Sequence, residues 1–445
     1  MVTQSGAMKV MALCILAAAL MRGAAGDLTP PERSYKILML LTSSSKSHKN
    51  VFMPFAEALA DRGHKVVMLS GFQQSSENQN ILEINHGVSA FSEATASMFS
   101  LRNDGVGSLS LFENYLPTLA RELYKVPKVK QLYGKRKDFD LIVVDSLFNE
   151  ISAQFPDLPP LLEIERNQSL TLLNTHFTIT NAVPLLPSQV EVGAMHCRPA
   201  KPLPEDLESW IIGAGDAGAV YFSLGSVAAG ESMPPKYRQA FLEAFRRLPQ
   251  RILWKYEGEM EGVPDNVRLS KWLPQQDILA HNNVKVFMSH GGQLSLTESI
   301  FHATPLLVLP IFGNQLRNAK FMEISGSGRI LGWEELTADR IVDALIDLIN
   351  NPKYKESVSS TSSVLRDQLT TPQERAVYWT EYVIRHRGAP QLRCQAAQLS
   401  WVEFLLLDVV GLLLLTLLVL LLLLRRLLRA VSAAVFRGHV KEKSE

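Results

Sequence analysis

The chain has 445 residues, more than one ordinary core accommodates, and its 45 Lys+Arg balance 44 Asp+Glu. That balance excludes a protein built on a basic nucleic-acid surface, so no nucleic-acid partner is expected. Its three cysteines, Cys14, Cys197 and Cys394, exclude a disulfide scaffold and leave the body to fold on its apolar core.

Residues 10–20 form an apolar run behind Lys9, too short to span a bilayer, and small residues follow at 23–26. This pattern reads as a secretory signal peptide, residues 1–26. Residues 36–42 (KILMLLT) then make a run of buried-strand length. After a Ser-rich loop, Val51, Phe55 and Leu59 recur every four residues with Phe52, Ala56 and Ala60 beside them, an amphipathic helix ending at Gly63. A second strand at 65–69 completes a βαβ unit, which implies a parallel sheet. His48 falls on the loop after the first strand, and His64 reads as a turn residue. Residues 141–144 form another short strand ending at Asp145, and the sequon Asn167-Gln-Ser169 accepts a glycan where it is exposed.

Five prolines between 184 and 204 mark a border between two halves, residues 27–195 and 196–395. The second half repeats the grammar of the first, with strands at 219–223, 251–255, 284–289 and 306–309 and helices near 235–247, 294–302 and 338–350. Two doubly wound α/β domains follow, with a ligand cleft between them at the carboxyl ends of the strands. Residues 213–218 fit G-x-G-x-x-G but precede the strand at 219, so they read as a flexible loop rather than a dinucleotide site.

From 409 to 424 only Gly411 and Thr416 interrupt aliphatic residues, and 401–407 extends the run upstream. Residues 401–424 are long enough for a transmembrane helix, which needs roughly 20 apolar residues. Arg425, Arg426 and Arg429 follow, then Arg437, Lys441 and Lys443, so residues 425–445 read as a cytosolic basic tail of a single-pass type I protein with a lumenal body. Lysines third and fifth from the end resemble the dilysine retrieval signal of endoplasmic-reticulum proteins; a solvated charged tail is the alternative on those residues alone.

The stretch 272–315 is the richest in chemistry. Trp272 opens WLPQQ: an indole face stacks on a flat base, and the amide of Gln275 matches an edge carrying donors and acceptors. The strand 284–289 ends in His290-Gly291-Gly292 and opens a helix, an arrangement that suits an anion. Glu298 lies one to two turns into that helix, and the next strand ends in PIFGNQ, residues 310–315, whose amides suit sugar hydroxyls.

In this order and spacing, WLPQQ, SHGG, the glutamate and PIFGNQ resemble the signature of the UDP-glycosyltransferase (UDP-glucuronosyltransferase) family, whose members have the GT-B fold. Residues 222–226 (FSLGS) are similar to the family's loop facing the diphosphate, and 191–197 (EVGAMHC) with 201–204 (KPLP) to its inter-domain border. The resemblance implies that Trp272 and Gln275 hold uracil, Ser226 and His290 with Gly291 and Gly292 the diphosphate, Glu298 the ribose, and Asn314 and Gln315 the sugar. Asn314 stands where the family usually has Asp, a stronger acceptor, and Leu294 where vertebrate members often have Asn.

Residues 47–52 (SHKNVF) and 140–145 (DLIVVD) resemble the family's base and partner segments. An imidazole takes a hydroxyl proton near neutral pH, and a carboxylate fixes its tautomer, so His48 with Asp145 are the expected catalytic pair. An inverting transfer of a hexosyl group from a UDP-sugar to a small lipophilic acceptor is then expected, without a metal and with the UDP-sugar as co-substrate rather than cofactor. The lack of an assignable Arg for a donor carboxylate favours glucose over glucuronic acid. After Asp145 the chain reaches DLPP (157–160) and EIERN (163–167) almost at once, where family members interpose several dozen residues. Two expectations follow: a transferase of the endoplasmic-reticulum membrane, or an inactive member that binds UDP-sugar or pairs with full-length relatives as a homo- or hetero-oligomer.

Overall fold

The structure is a computed structural model describing residues 28–42, 45–88, 99, 107–145, 150–225, 230–394, 396 and 399–442, with side chains for all of these but 107–115, 150 and 435–442. The signal segment, Ser226 and the last three residues lie outside the described residues.

Twelve short strands, β1 to β12 in chain order, make three sheets among the described residues. In the first half β1 (Lys36–Leu41), β2 (Lys65–Ser70), β3 (Ile81–Asn85) and β4 (Leu141–Val144) are parallel in the order β3-β2-β1-β4. Five of the six β1 residues are buried, as a central parallel strand covered on both faces requires. β5 (Thr171–Leu173) and β6 (Gln189–Glu191) form a separate two-stranded sheet.

The second half holds β7 (Ala219–Ser223), β8 (Arg251–Lys255), β9 (Val267–Ser270), β10 (Val284–Ser289), β11 (Leu306–Val308) and β12 (Gly328–Ile330), all parallel, in the order β12-β11-β10-β7-β8-β9. Its side chains alternate between two cores. Val220, Phe222, Trp254 and Met288 face one, and Tyr221, Leu253, Phe287 and Val308 the other. In each of the two larger sheets the winding reverses once, between β1 and β4 and between β7 and β10, and the crevice for a ligand opens at such a reversal.

Two features differ from the sequence reading. The helix Pro372–Arg385 falls within the 196–395 stretch assigned to the second half, yet its Ala376 and Val377 pack with Ile37, Met39, Phe55 and Leu59 of the first. Its Glu381 accepts from Arg62 at 2.6 and 3.1 Å and lies 3.0 Å from Nε2 of His64. His64 is therefore no mere turn residue. It is fully buried, its Nδ1 accepts the Tyr35 N–H at 3.2 Å, and that bond assigns the proton to Nε2, which donates to Glu381. Secondly, a left-handed Leu406 (φ 52°) breaks the chain between a short helix, Trp401–Phe404, and a long one, Leu407–Glu442. The candidate span is thus Leu407–Ala434, 28 residues, long and apolar enough to cross a membrane and unburied by the body.

Candidate active site

The helix Lys46–Asp61 begins earlier than its apolar period shows. Ser45 caps it, its Oγ accepting the His48 N–H at 3.3 Å and meeting Ser47 Oγ at 2.8 Å. His48 therefore sits in the first helical turn rather than on a free loop. Asp145 follows β4, which pairs with β1, so both residues stand over the reversal of the first sheet. His48 Nδ1 lies 3.5 Å from Asp145 Oδ2, with side chains 37% and 13% exposed. That is an ion-pair distance, longer than a tight hydrogen bond.

Trp272 is 58% exposed. Over its indole ring, 4.0 Å from the centre, lies the ammonium of Lys46. Lys46 opens the helix that carries His48, so the first turn of that helix and the Trp272 loop face each other across the cleft.

Behind Trp272, Gln275 donates to Glu298 at 2.6 Å and to Ser295 Oγ at 3.1 Å, and accepts from Tyr221 OH at 3.1 Å. Both amide hydrogens are thus engaged, which places Gln275 with Glu298 rather than leaving it free for a base edge. Burial pushes the Glu298 carboxyl up to about 7, against the pull of the Gln275 hydrogen bond and the Arg198 charge. The neighbouring Gln276 donates to His196 O at 3.0 Å and accepts Arg198 N–H at 2.9 Å, tying the inter-half linker to the short helix Gln275–Leu279. Arg198 also grips Asp277 through two bonds of 2.7 and 2.8 Å.

At the second reversal, His290 is held between glycines. A Cβ on Gly225 would lie 2.6 Å from its ring carbon Cε1, and one on Gly292 2.5 Å from Nε2. Gly291 has φ +84°, and a Cβ there would strike Val308 at 2.6 Å. The glycines make room for this ring and for β11 as much as for any ligand. Burial, with Lys255 second, lowers the His290 pKa to about 4, so the ring is neutral near pH 7. The helix Gln293–Phe301 starts beside it with Gly292 as N-cap and no side-chain cap bond. Asn314 is exposed, whereas Gln315 is buried and its Oε1 accepts the Ile311 and Phe312 amides at 2.8 and 3.1 Å, closing its own loop. Asn167 is exposed at the end of the helix Leu161–Arg166. Among the described residues no group of three or more His, Cys, Asp or Glu is placed to hold a metal ion.

Sequence reasoning missed three contributors. Lys46 is one. Lys255 donates to Gly225 O at 2.9 Å and pairs with Glu257, which accepts Gly230 N–H at 2.7 Å, so the two brace both ends of the segment that includes Ser226. Asn318 donates to Gly291 O at 2.8 Å. Lys255 had a usable signal, since it ends a strand at the ligand side of the sheet.

Solved structures with the same architecture include the glycosyltransferase VinC in complex with DTDP (TM-score 0.54, 17% identical, covering 79% of this chain and 100% of that one) and the calicheamicin glycosyltransferase CalG4 (TM-score 0.51, 17% identical, 79% and 99%). The fold is GT-B, two α/β domains of parallel strands, with one C-terminal apolar helix added. Residues 136–442 match the family model described as UDP-glucoronosyl and UDP-glucosyl transferase, and the chain belongs to that family.

It is similar to UDP-glycosyltransferase UGT5 of Dactylopius coccus, 43% identical over 258 residues (58% of this chain, 49% of the relative). A UDP-glucuronosyltransferase of Pleuronectes platessa is 41% identical over 282 residues, 62% of this chain and 59% of that one. The match to UDP-glucuronosyltransferase 1A3 of Rattus norvegicus is 36% over 302 residues, 68% and 55%. The chain spans about half the length of the curated relatives it matches. Asp145 lies inside the family-model match and His48 outside it.

Proposed function

We propose that the protein transfers a hexosyl group, glucose or glucuronic acid, from a UDP-sugar to a hydroxyl of a small lipophilic acceptor. His48 Nδ1–H faces Asp145, which leaves Nε2 as the base. Nε2 takes the acceptor proton, the acceptor oxygen attacks the anomeric carbon, and the bond from that carbon to the diphosphate oxygen breaks as UDP departs with its electrons. Attack opposite the leaving group inverts an α-linked donor to a β-glycoside. Trp272 stacks the uracil, and Glu298, held by Gln275, takes the ribose hydroxyls. Neutral His290, the uncapped helix start, Gly291, Gly292 and Ser226 receive the diphosphate, and Asn314 and Gln315 the sugar. The sequence assigns no Arg to a donor carboxylate, and on that ground we favour glucose.

One observation carries this reading: the His48 turn of the first half meets, through Lys46, the exposed ring of Trp272 in the second. The helix Leu407–Glu442 anchors the body, which we place in the lumen of the endoplasmic reticulum with the Arg-rich flank cytosolic and Asn167 glycosylated.

The thinness of the first half supports a second reading, an inert member that binds UDP-sugar or pairs with longer relatives. Release of UDP from UDP-glucose or UDP-glucuronic acid by the purified full chain, with one phenolic acceptor, separates the two. Acceptor-dependent release supports the enzyme; UDP binding without release supports the inert partner.

A further inference from the structure

Lys49, the residue after His48, has no part in the scheme above, yet its ammonium is sealed inside the first half. Its side chain is 3% exposed and pairs with Glu83 of β3, itself 2% exposed. The same ammonium donates to Gln73 O at 2.7 Å. Glu83 also accepts the Ser75 and Ser76 N–H groups at 2.8 and 2.9 Å. A buried ion pair is a poor source of stability, because well-packed apolar residues of the same volume are often as good or better. What such a pair does supply is a fixed position for the backbone that carries it.

The position it fixes is that of His48. Consecutive residues of a helix project about 100° apart. From one turn, therefore, His48 reaches Asp145 after β4 and Lys49 reaches Glu83 in β3, and β4 and β3 are the two opposite edges of the sheet. We propose that Lys49 and Glu83 are positioning residues that clamp the first turn of the helix Lys46–Asp61 against β3, so that the His48 imidazole is held toward Asp145. The proposal rests on the reading of His48 as the base. It is independent of the Ser45 cap, which holds the turn's N–H rather than its direction across the sheet.

The test is the double variant Lys49→Met/Glu83→Gln in the full chain, which removes both charges at nearly constant volume. The expected result is an unchanged thermal midpoint, an unchanged Kd for UDP, and a kcat lower by about ten- to a hundredfold, the scale of a 1 Å misplacement. In ¹⁵N-histidine spectra the His48 ring, assigned by loss of its signal in His48→Gln, goes from the Nδ1–H tautomer in the wild type to a mixture. This second readout does not depend on turnover. Should the double variant not fold, Glu83→Asp keeps the charges, shortens the arm by one methylene and carries the same expectations. A folded variant with wild-type kcat and an unchanged His48 tautomer overturns the proposal, as does a kcat loss that only tracks loss of folded protein. His48→Ala turning over like the wild type overturns the base reading instead.

Discussion

The two halves are built to one plan and filled to different degrees. The second sets six parallel strands between two apolar cores, with Trp254, Phe222 and Phe287 fully buried. The first has four strands; its edge strand β4 leaves Ile142 and Val144, 39% and 37% exposed, open on one face, and β5–β6 stands apart as a small sheet. It borrows a further layer from the end of the chain, the helix Pro372–Arg385. The half that holds the donor motif takes single side chains from the other, Phe99, Ile179 and Ala194, whereas the half that holds His48 takes a whole helix from a distant segment, fastened by Glu381 to Arg62 and His64.

That contrast can be broken most forcefully at Glu381. Glu381→Ala leaves Arg62 and His64 facing an empty, buried site, and we expect a loss of about 3–5 kcal/mol in urea unfolding followed in the first half, with UDP binding retained. Equal loss of UDP binding would show that the halves do not differ in this way. Next in size, Trp272→Ala removes a stacking platform worth about 1–3 kcal/mol, so the Kd for UDP should rise roughly 5- to 150-fold with the first half undisturbed. An unchanged Kd, measured by calorimetry, removes Trp272 from the donor site.

The smallest effect is a pH dependence. Burial raises Glu298 to about 7, and its ionised form accepts ribose hydroxyls more strongly than its protonated form, so the ligand lowers its pKa. Affinity for uridine, which does not itself titrate in this range, should therefore rise by up to about tenfold between about pH 6 and pH 8 and then level off. In Glu298→Gln the profile should be flat; a slope that survives the substitution has another source.

Much of this was legible in the sequence because the signals were local. The apolar runs of β1, β7 and β10 announced themselves, and so did the order of WLPQQ, SHGG and PIFGNQ. β3 did not, since Glu83 sits in the middle of ILEIN and only its remote partner Lys49 makes a buried charge tolerable there. His64 was misjudged for the same reason: its burial comes from a helix more than 300 residues away. That helix carried a visible capping box, Thr371 with Glu374, but a cap marks where a helix starts and says nothing of which half it covers. Lys46 over Trp272 is likewise a contact between halves, outside the reach of local pattern.

The central claim is that an imidazole of the thinner half acts on a nucleotide sugar held by the fuller one. Paired measurement of acceptor-dependent UDP release and UDP affinity in the wild type and His48→Ala tests it most directly. We expect release to fall by about 10²–10⁴-fold while the Kd for UDP stays within about twofold. Undiminished release by the variant, or parallel loss of binding and release, contradicts the account.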